Sequence, residues 1–387
     1  MSMTSRQRVQ AVLNHQLPDR VPICIGVSNA TGIKTKPYQG LKRILGIQAE
    51  DRYLYDWPEL GTVLPDESVL QRLHNDFRPV LDRFPKAVLA QNQNRPPHTP
   101  HMDDWGSGST EIEPGVWFPG VHPLAQATTI EEIDKYPWPD MEDPYRVARV
   151  REEARRLSEQ NQYAILATPW LMFPLERAFS LQGMDQFLLN LAMHPDFAQA
   201  LLRKITDVCL VHLGHFLDEC GEYIDIIKIG DDLGTQERLL ISPRMYRQML
   251  KPLHAEVIQF IRQRTKAKVF FHSDGDVFDL IDDFIEIGVD ILNPVQTSAG
   301  KMSDLGELNA RFGNRIIFCG AIDTQKVLPF GTPEQVRQEV RRIIHLLGRE
   351  GGYMLASVHT IMNEVPAENI LAMVDAVEEF GVYPLKG

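Results

Sequence analysis

The second half of the chain alternates short apolar runs with longer amphipathic segments, and this rhythm limits the possible folds more than any other feature. Buried strands are predicted at 163–169, 223–230, 268–273, 289–295, 315–322 and 352–358. The 3.6-residue period predicts helices at roughly 182–218, 242–264, 276–287, 302–312, 332–348 and 366–380. Strands that alternate with helices indicate an α/β protein with a parallel sheet.

Two more candidates bring the predicted number of strands to eight. One is RVPICIG (20–26), and the other lies near DFRPVL (76–81). Eight strands favour a single (β/α)8 barrel over 1–387, in which the Pro-rich and aromatic segment 28–160 is an insertion over one end. The alternative is an open doubly wound sheet. The sequence has no G-x-G-x-x-G after the first strand and no G-x-x-x-x-G-K-[ST], which favours the barrel.

Composition and charge exclude several classes of partner. The chain has 40 Lys+Arg against 52 Asp+Glu, a net charge of -12, and its basic residues are scattered. Nucleic acid and membrane are therefore not expected partners. The four cysteines have no CxxC spacing, and no apolar run is long enough for a signal peptide or a membrane span. A soluble, cytoplasmic protein with buried thiols is expected.

Polar side chains follow the predicted strands at the end where barrel enzymes place their chemistry. His272 and Asp274 end one strand, and His359 ends the last. Residues i and i+2 of a strand point to the same side, so His272 and Asp274 should both face the barrel mouth. Imidazole and carboxylate are zinc ligands, and a catalytic zinc takes about three protein ligands and keeps one position open. The sequence therefore predicts a zinc site at these residues.

Each of these residues also has a structural interpretation. Asp274 precedes an amphipathic segment, and either Asp274 or Asp276 could cap its helix. A histidine at a strand end is often a half-buried, hydrogen-bonded residue. Asp231 and Asp232 follow another predicted strand and are either catalytic carboxylates or loop residues in solvent.

Substrate contacts are predicted from two groups of residues. Asn293 and Gln296 follow the next predicted strand and would line the barrel mouth. Trp105 and Trp117, with Trp57 and Trp138, could wall an apolar pocket beneath the insertion, although packing is expected for at least two of the four.

Several blocks of the sequence together resemble the uroporphyrinogen decarboxylase superfamily and the zinc- and corrinoid-dependent methyltransferases related to it. These blocks are RQRVQAVLNHQLPDRVPI, DESVLQRLHNDFRPV, PLERAFSLQGMDQFLLNLAMHP, IGDDLGTQERLLISPRMYRQMLKP, FFHSDGDVFDLIDDFIEIGVDILNPVQ and ASVHTIMNEVPAENI. Their joint order is specific and covers most of the chain. The resemblance implies a (β/α)8 barrel, in agreement with the alternation of strands and helices.

The resemblance also implies a metal site. In the methyltransferases that methylate coenzyme M, a His-x-Cys motif and a later Cys hold the metal. Here His272-x-Asp274 and His359 stand at these places. The loss of both thiolates implies a harder, more Lewis-acidic zinc that suits an O-methyl or N-methyl donor, with a corrinoid protein as partner and methyl acceptor. Asp231 and Asn293 would orient the substrate.

The decarboxylase branch binds the carboxylates of its tetrapyrrole through arginines in the loop after the first strand. The corresponding loop here, GVSNATGIKTKPYQG, has none. This disfavours a true uroporphyrinogen decarboxylase. Two alternatives stay open: a lyase that decarboxylates a smaller acid through Asp231 or Asp232, and a corrinoid- or tetrapyrrole-binding protein without catalysis. The sequence leaves the oligomeric state open, with a homodimer as one expectation.

Overall fold

The computed structural model describes residues 3–95, 99–113 and 116–385. Its strands are β1 Phe77–Val80, β2 His101–Met102, β3 Gly108–Glu113, β4 Val116–Val121, β5 Ala164–Ala167, β6 Ile226–Gly230, β7 Lys268–His272, β8 Ile291–Asn293, β9 Ile317–Ile322 and β10 Tyr353–Ser357. The α-helices are α1 Ser5–Leu13, α2 Thr35–Leu45, α3 Glu67–Arg72, α4 Lys86–Gln93, α5 Ile130–Lys135, α6 Val150–Gln160, α7 Pro174–Gln182, α8 Met184–Met193, α9 Pro195–Cys220, α10 Pro243–Met245, α11 Lys251–Arg262, α12 Ile281–Ile287, α13 Leu305–Phe312, α14 Val327–Phe330, α15 Pro333–Leu347 and α16 Ala367–Phe380.

Seven strands form one parallel sheet in the order β1-β5-β6-β7-β8-β9-β10. The segment around Ile23 bridges the two ends of this sheet. Leu355 N donates to Pro22 O and Cys24 N donates to Leu355 O, both at 2.8 Å, while Asp76 N donates to Ile23 O at 3.0 Å. The sheet therefore curls into a (β/α)8-type barrel, as predicted. Its eighth position is irregular because Pro22 has no N–H to donate.

The barrel is filled by side chains that alternate along each strand. Phe77, Ile226, Phe270 and Ile291 belong to this inner cluster, which also includes Val12 of α1. A larger cluster of buried residues packs the sheet against the surrounding helices. Phe270 and His272 lie two residues apart on β7 and point to the same, inner side of the strand. The strand therefore places His272 inside the barrel, above a layer of apolar side chains.

Seven of the eight predicted strands are found in their places, each shorter than expected, whereas the strand predicted at 20–26 forms only isolated bridges at Arg20 and Ile23. The prediction of one long helix at 182–218 is wrong, because two helices, α8 and α9, occupy that region and are divided at His194. Gly183 separates α7 from α8 with a φ of +88°, which favours glycine, and Pro195 begins α9. All four cysteines are buried and free, as expected.

The segment 28–160 contains the barrel strand β1, and decoration lies on both sides of that strand. Its main addition is the antiparallel sheet β2-β3-β4. Residues 96–98, 114 and 115 of this segment lie outside the described residues. Within the described part of the chain, no helix has both the length and the apolar character that a membrane crossing needs.

Candidate metal centre

His272, Asp274 and His359 meet at the carboxyl ends of the barrel strands. One ligand atom from each residue lies within 4.8 Å of the others. Asp274 Oδ2 is 3.9 Å from His272 Nε2 and 3.8 Å from His359 Nε2. Among the described residues this is the one group of three potential ligands close enough to share an ion. The structure thus brings together the three residues that the sequence predicted.

Asn293 fixes the protonation of the His272 ring. It pairs with His272 across β7 and β8, and its Nδ2 donates to Cys319 O at 3.0 Å. That bond turns Asn293 Oδ1 toward the imidazole, where His272 Nδ1 donates to it at 2.6 Å. The neutral ring therefore keeps its lone pair on Nε2, the atom that faces Asp274. Both ends of Asn293 are used, which supports a positioning role in place of the predicted substrate contact.

Asp274 does not cap the helix that follows it. Asp276 lies nearer to it, and its Oδ1 accepts from Phe278 N at 3.3 Å, at the start of the 3-10 turn that leads into α12. Asp274 Oδ1 is buried with no hydrogen-bond partner among the described residues. A buried carboxylate oxygen without a donor is costly, and a bound cation would compensate it.

The glycine after Asp274 allows two loops to touch. Gly275 has a φ of +88°, and a Cβ there would lie 2.3 Å from the carbonyl carbon of Gly234 in the loop after β6. Only glycine fits this close approach. The contact holds the two loops together, and Asp274 N donates to Asp232 Oδ1 at 2.9 Å.

Burial sets the charges of the three candidate ligands. It raises the pKa of Asp274 to about 8, helped by the charge of Asp232 and opposed by Lys228. Burial also lowers the pKa of His359 to about 4, and the charges of Lys228 and Lys34 act in the same direction. Burial is also the largest cause that lowers the pKa of His272 well below its usual value. Both imidazoles are therefore neutral at pH 7, the state in which they bind metals.

Asp231 and Asp232 differ in environment. Asp231 is fully buried, and its carboxylate accepts from Leu175 N at 3.0 Å and from Glu176 N at 2.8 Å. His254 Nε2 lies 3.1 Å from the same carboxylate. Asp231 thus anchors the first turn of α7, which supports a structural role in place of the predicted catalytic and substrate contacts. Asp232 is partly exposed, and its Oδ1 lies 3.9 Å from His272 Nε2, so it borders the cluster.

Two charged residues of the site escaped the sequence analysis. Lys228 is buried on β6 between Ile227 and Ile229. Burial lowers its pKa, while the charges of Glu176, Asp232 and Asp274 oppose this effect. Burial, reinforced by Asp232 and Asp231, raises the pKa of Glu176 well above its usual range. The sequence does contain a signal for Lys228, because a lysine inside an apolar strand is unusual. It contains no such signal for Glu176, which lies in the first turn of α7.

Two cavities meet at His359. The smaller, of about 210 Å³, is polar and is lined by Gln296, whose Oε1 accepts from Gly275 N at 2.7 Å. The larger, of about 370 Å³, is lined by Trp57, Trp117 and Trp170.

The other two tryptophans support the fold. Trp105 is 3% exposed, and its ring lies 4.5 Å from the Arg177 guanidinium and 6.0 Å from the ring of Trp138. Neither Trp105 nor Trp138 lines the cavities at His359. Trp105 thus has a packing role in place of the predicted substrate contact, whereas Trp117 lies where a substrate could reach it.

The donor set fits a zinc ion. Two neutral imidazoles and one carboxylate are a known ligand combination for catalytic zinc, and three protein ligands leave a position open. The fixed tautomer of His272 and the unpartnered Asp274 Oδ1 are the features expected of ligands that are prepared for a cation.

A (β/α)8-type barrel with a buried polar cluster at the carboxyl ends of its strands is the arrangement of barrel enzymes. The family model for uroporphyrinogen decarboxylase (URO-D) matches residues 111–380. The chain therefore belongs to the URO-D family.

Known relatives and structures agree with this assignment. A uroporphyrinogen decarboxylase of Coxiella burnetii is 26% identical over 208 residues, 52% of this chain and 53% of the relative. That of Methylococcus capsulatus is 25% identical over 265 residues, 67% of this chain and 71% of the relative. The match thus spans about half the length of the Coxiella protein. A methyltransferase from Methanosarcina mazei has the same fold, with a TM-score of 0.66, 18% identity and coverage of 98% of this chain and 99% of that one.

Proposed function

We propose that this protein is the methyltransferase of a corrinoid-dependent demethylation system. It takes a methyl group from an O-methyl or N-methyl substrate and passes it to the cobalt(I) of a corrinoid carried by a partner protein. The observation that carries the proposal is the convergence of His272, Asp274 and His359 beside an apolar cavity.

The residues of the site have separate tasks in this reaction. Zinc held by His272, Asp274 and His359 would act as a Lewis acid toward the leaving oxygen or nitrogen. In the transfer, the bond from the methyl carbon to that atom breaks and its electron pair stays on the leaving atom, while two electrons of cobalt(I) form the new cobalt–carbon bond. The leaving atom then takes up a proton. Glu176, whose pKa burial raises well above its usual range and whose charge interacts with Asp232 and Asp274, is the candidate donor of this proton.

Formation of methylcobalamin from cob(I)alamin tests the proposal directly. The zinc-loaded protein is assayed anaerobically with a panel of methoxylated aromatics and methylamines, and at least one compound should be demethylated. His272→Ala and His359→Ala should each lower the rate on the order of a hundredfold or more, because the leaving group loses its activation. The exposed His194 offers a matched control, His194→Ala, which should keep the full rate. Turnover that survives both site substitutions would place the chemistry elsewhere, such as Asp232.

A second candidate function is a lyase that removes CO2 from a carboxylic acid. It is supported by the decarboxylases among the relatives and by the buried cation Lys228 beside the carboxylates of the site. Release of CO2 from small carboxylic acids, together with no methyl transfer from any compound of the panel, would favour this function.

A further inference from the structure

The larger cavity at His359 has the size and lining of a site for an aromatic ring. Its volume of about 370 Å³ suits one small aromatic molecule. Trp57, Trp117 and Trp170 contribute to its wall, and His359 of the candidate metal centre lies at its border. A molecule in this cavity can therefore touch the aromatic wall and reach the cluster at the same time.

The tryptophans of this wall are held by their neighbours. The rings of Trp57 and Trp170 are 5.9 Å apart and meet edge to face, and Phe84 packs at 4.5 Å from Trp57. Trp117 meets the ring of His101 at 4.6 Å in the same manner. Such a network keeps ring orientations fixed, which favours a rigid planar ligand over a flexible one.

Among the described residues that line this cavity, Lys34 is the one cation. Its Nζ donates to Leu60 O at 2.5 Å, which leaves two of its three N–H donors for other partners. Lys34 forms no ion pair with any described residue, and none of the described residues that line the cavity carries a carboxylate. Burial lowers the pKa of Lys34, as expected for a desolvated cation without a counter-ion. The Trp57 indole N–H is also buried and has no described acceptor.

Resting on the proposed methyl transfer, we infer that the methyl donor is an aromatic methyl ether that carries a carboxylate. Its ring lies among Trp57, Trp117 and Trp170, its carboxylate pairs with Lys34, and its methoxy group faces His359. Methylamines suit the cavity poorly, because none of its described lining residues carries a carboxylate that could pair with their positive charge and Lys34 would repel it.

Equilibrium binding to the zinc-loaded protein tests this inference without any methyl transfer. Calorimetry compares 4-methoxybenzoate, 4-methoxybenzyl alcohol and tetramethylammonium. The carboxylate should bind at least about tenfold more tightly than the neutral alcohol, since it gains a partly buried charge-assisted contact. Lys34→Met should abolish that preference and Lys34→Arg should restore most of it. Lys36→Met is the matched control, because Lys36 is exposed two residues away.

Each outcome decides the inference. Equal binding of carboxylate and alcohol, tighter binding of tetramethylammonium, no binding of any of the three, or a preference that persists in Lys34→Met would overturn it. Failure of the proposed function gives a different result. Lys34-dependent binding of 4-methoxybenzoate without formation of methylcobalamin would contradict the methyl transfer and still support the carboxylate site. Demethylation of amines without Lys34-dependent carboxylate binding would support the methyl transfer and overturn the carboxylate site.

Discussion

His272 Nδ1 donates a 2.6 Å hydrogen bond to Asn293 Oδ1 across neighbouring strands. Asn293→Ala should therefore weaken zinc binding about 10- to 100-fold, because the imidazole loses the partner that fixes its tautomer and orientation. Competition with a chelator measures this affinity. Asn293→Asp still accepts the Nδ1 hydrogen and should bind more tightly than the alanine variant. Asn94→Ala, at an exposed asparagine, is the control. Unchanged affinity in Asn293→Ala would show that the hydrogen bond does not prepare a ligand.

The purified protein should contain close to one zinc ion per chain, since one group of ligands with the required spacing lies among the described residues. Elemental analysis of the wild type, His272→Ala and His194→Ala checks this number. The first variant should lose the metal and the second should keep it. Equal and negligible metal in all three proteins would remove the Lewis-acid mechanism.

Asp274 should make the metal-free protein less stable as the pH rises. Its pKa changes from an ordinary value of 3.8 to about 8 on folding, so between these values the folded chain holds a proton that the unfolded chain releases. Deprotonation thus favours unfolding across that range. Asp274→Asn removes the penalty and should raise the free energy of unfolding by on the order of 1 kcal/mol near pH 8, with a smaller effect near pH 5.

Urea unfolding in the presence of a chelator measures both proteins at each pH. The same substitution should abolish zinc binding, so that stability of the metal-free protein and metal affinity move in opposite directions. A variant that is less stable than the wild type near pH 8 would contradict the assignment of a strained, buried carboxylate.

The protein should not decarboxylate uroporphyrinogen, despite its relatives of that name. The loop at 26–40, which follows the segment around Ile23, has lysines at 34 and 36 and no arginine, so it lacks the forked donors that pair with several carboxylates of a tetrapyrrole. An anaerobic assay for coproporphyrinogen checks this expectation. Enzyme-like rates of its formation would show that other residues bind the substrate.

Much of the fold could be predicted from the sequence because its signals are local. Apolar runs and 3.6-residue periods predicted the strands and most of the helices. The alternation of side chains along a strand predicted that His272 and Asp274 point to the same side. The long helix predicted at 182–218 failed because the apolar pattern continues through His194 and Pro195, where α8 ends and α9 begins.

The sequence by itself determined the barrel and the three candidate ligands. Only the tertiary structure decided what surrounds them: that Asp231 anchors α7, that Asn293 orients His272, that Lys228 is buried beneath the carboxylates, and that Lys34 lines a tryptophan cavity. The physical reason is that hydrogen-bond orientation and desolvation depend on atoms brought together from distant parts of the chain. A residue's type and spacing indicate what it can do, whereas its neighbours across the barrel select which of these roles it performs.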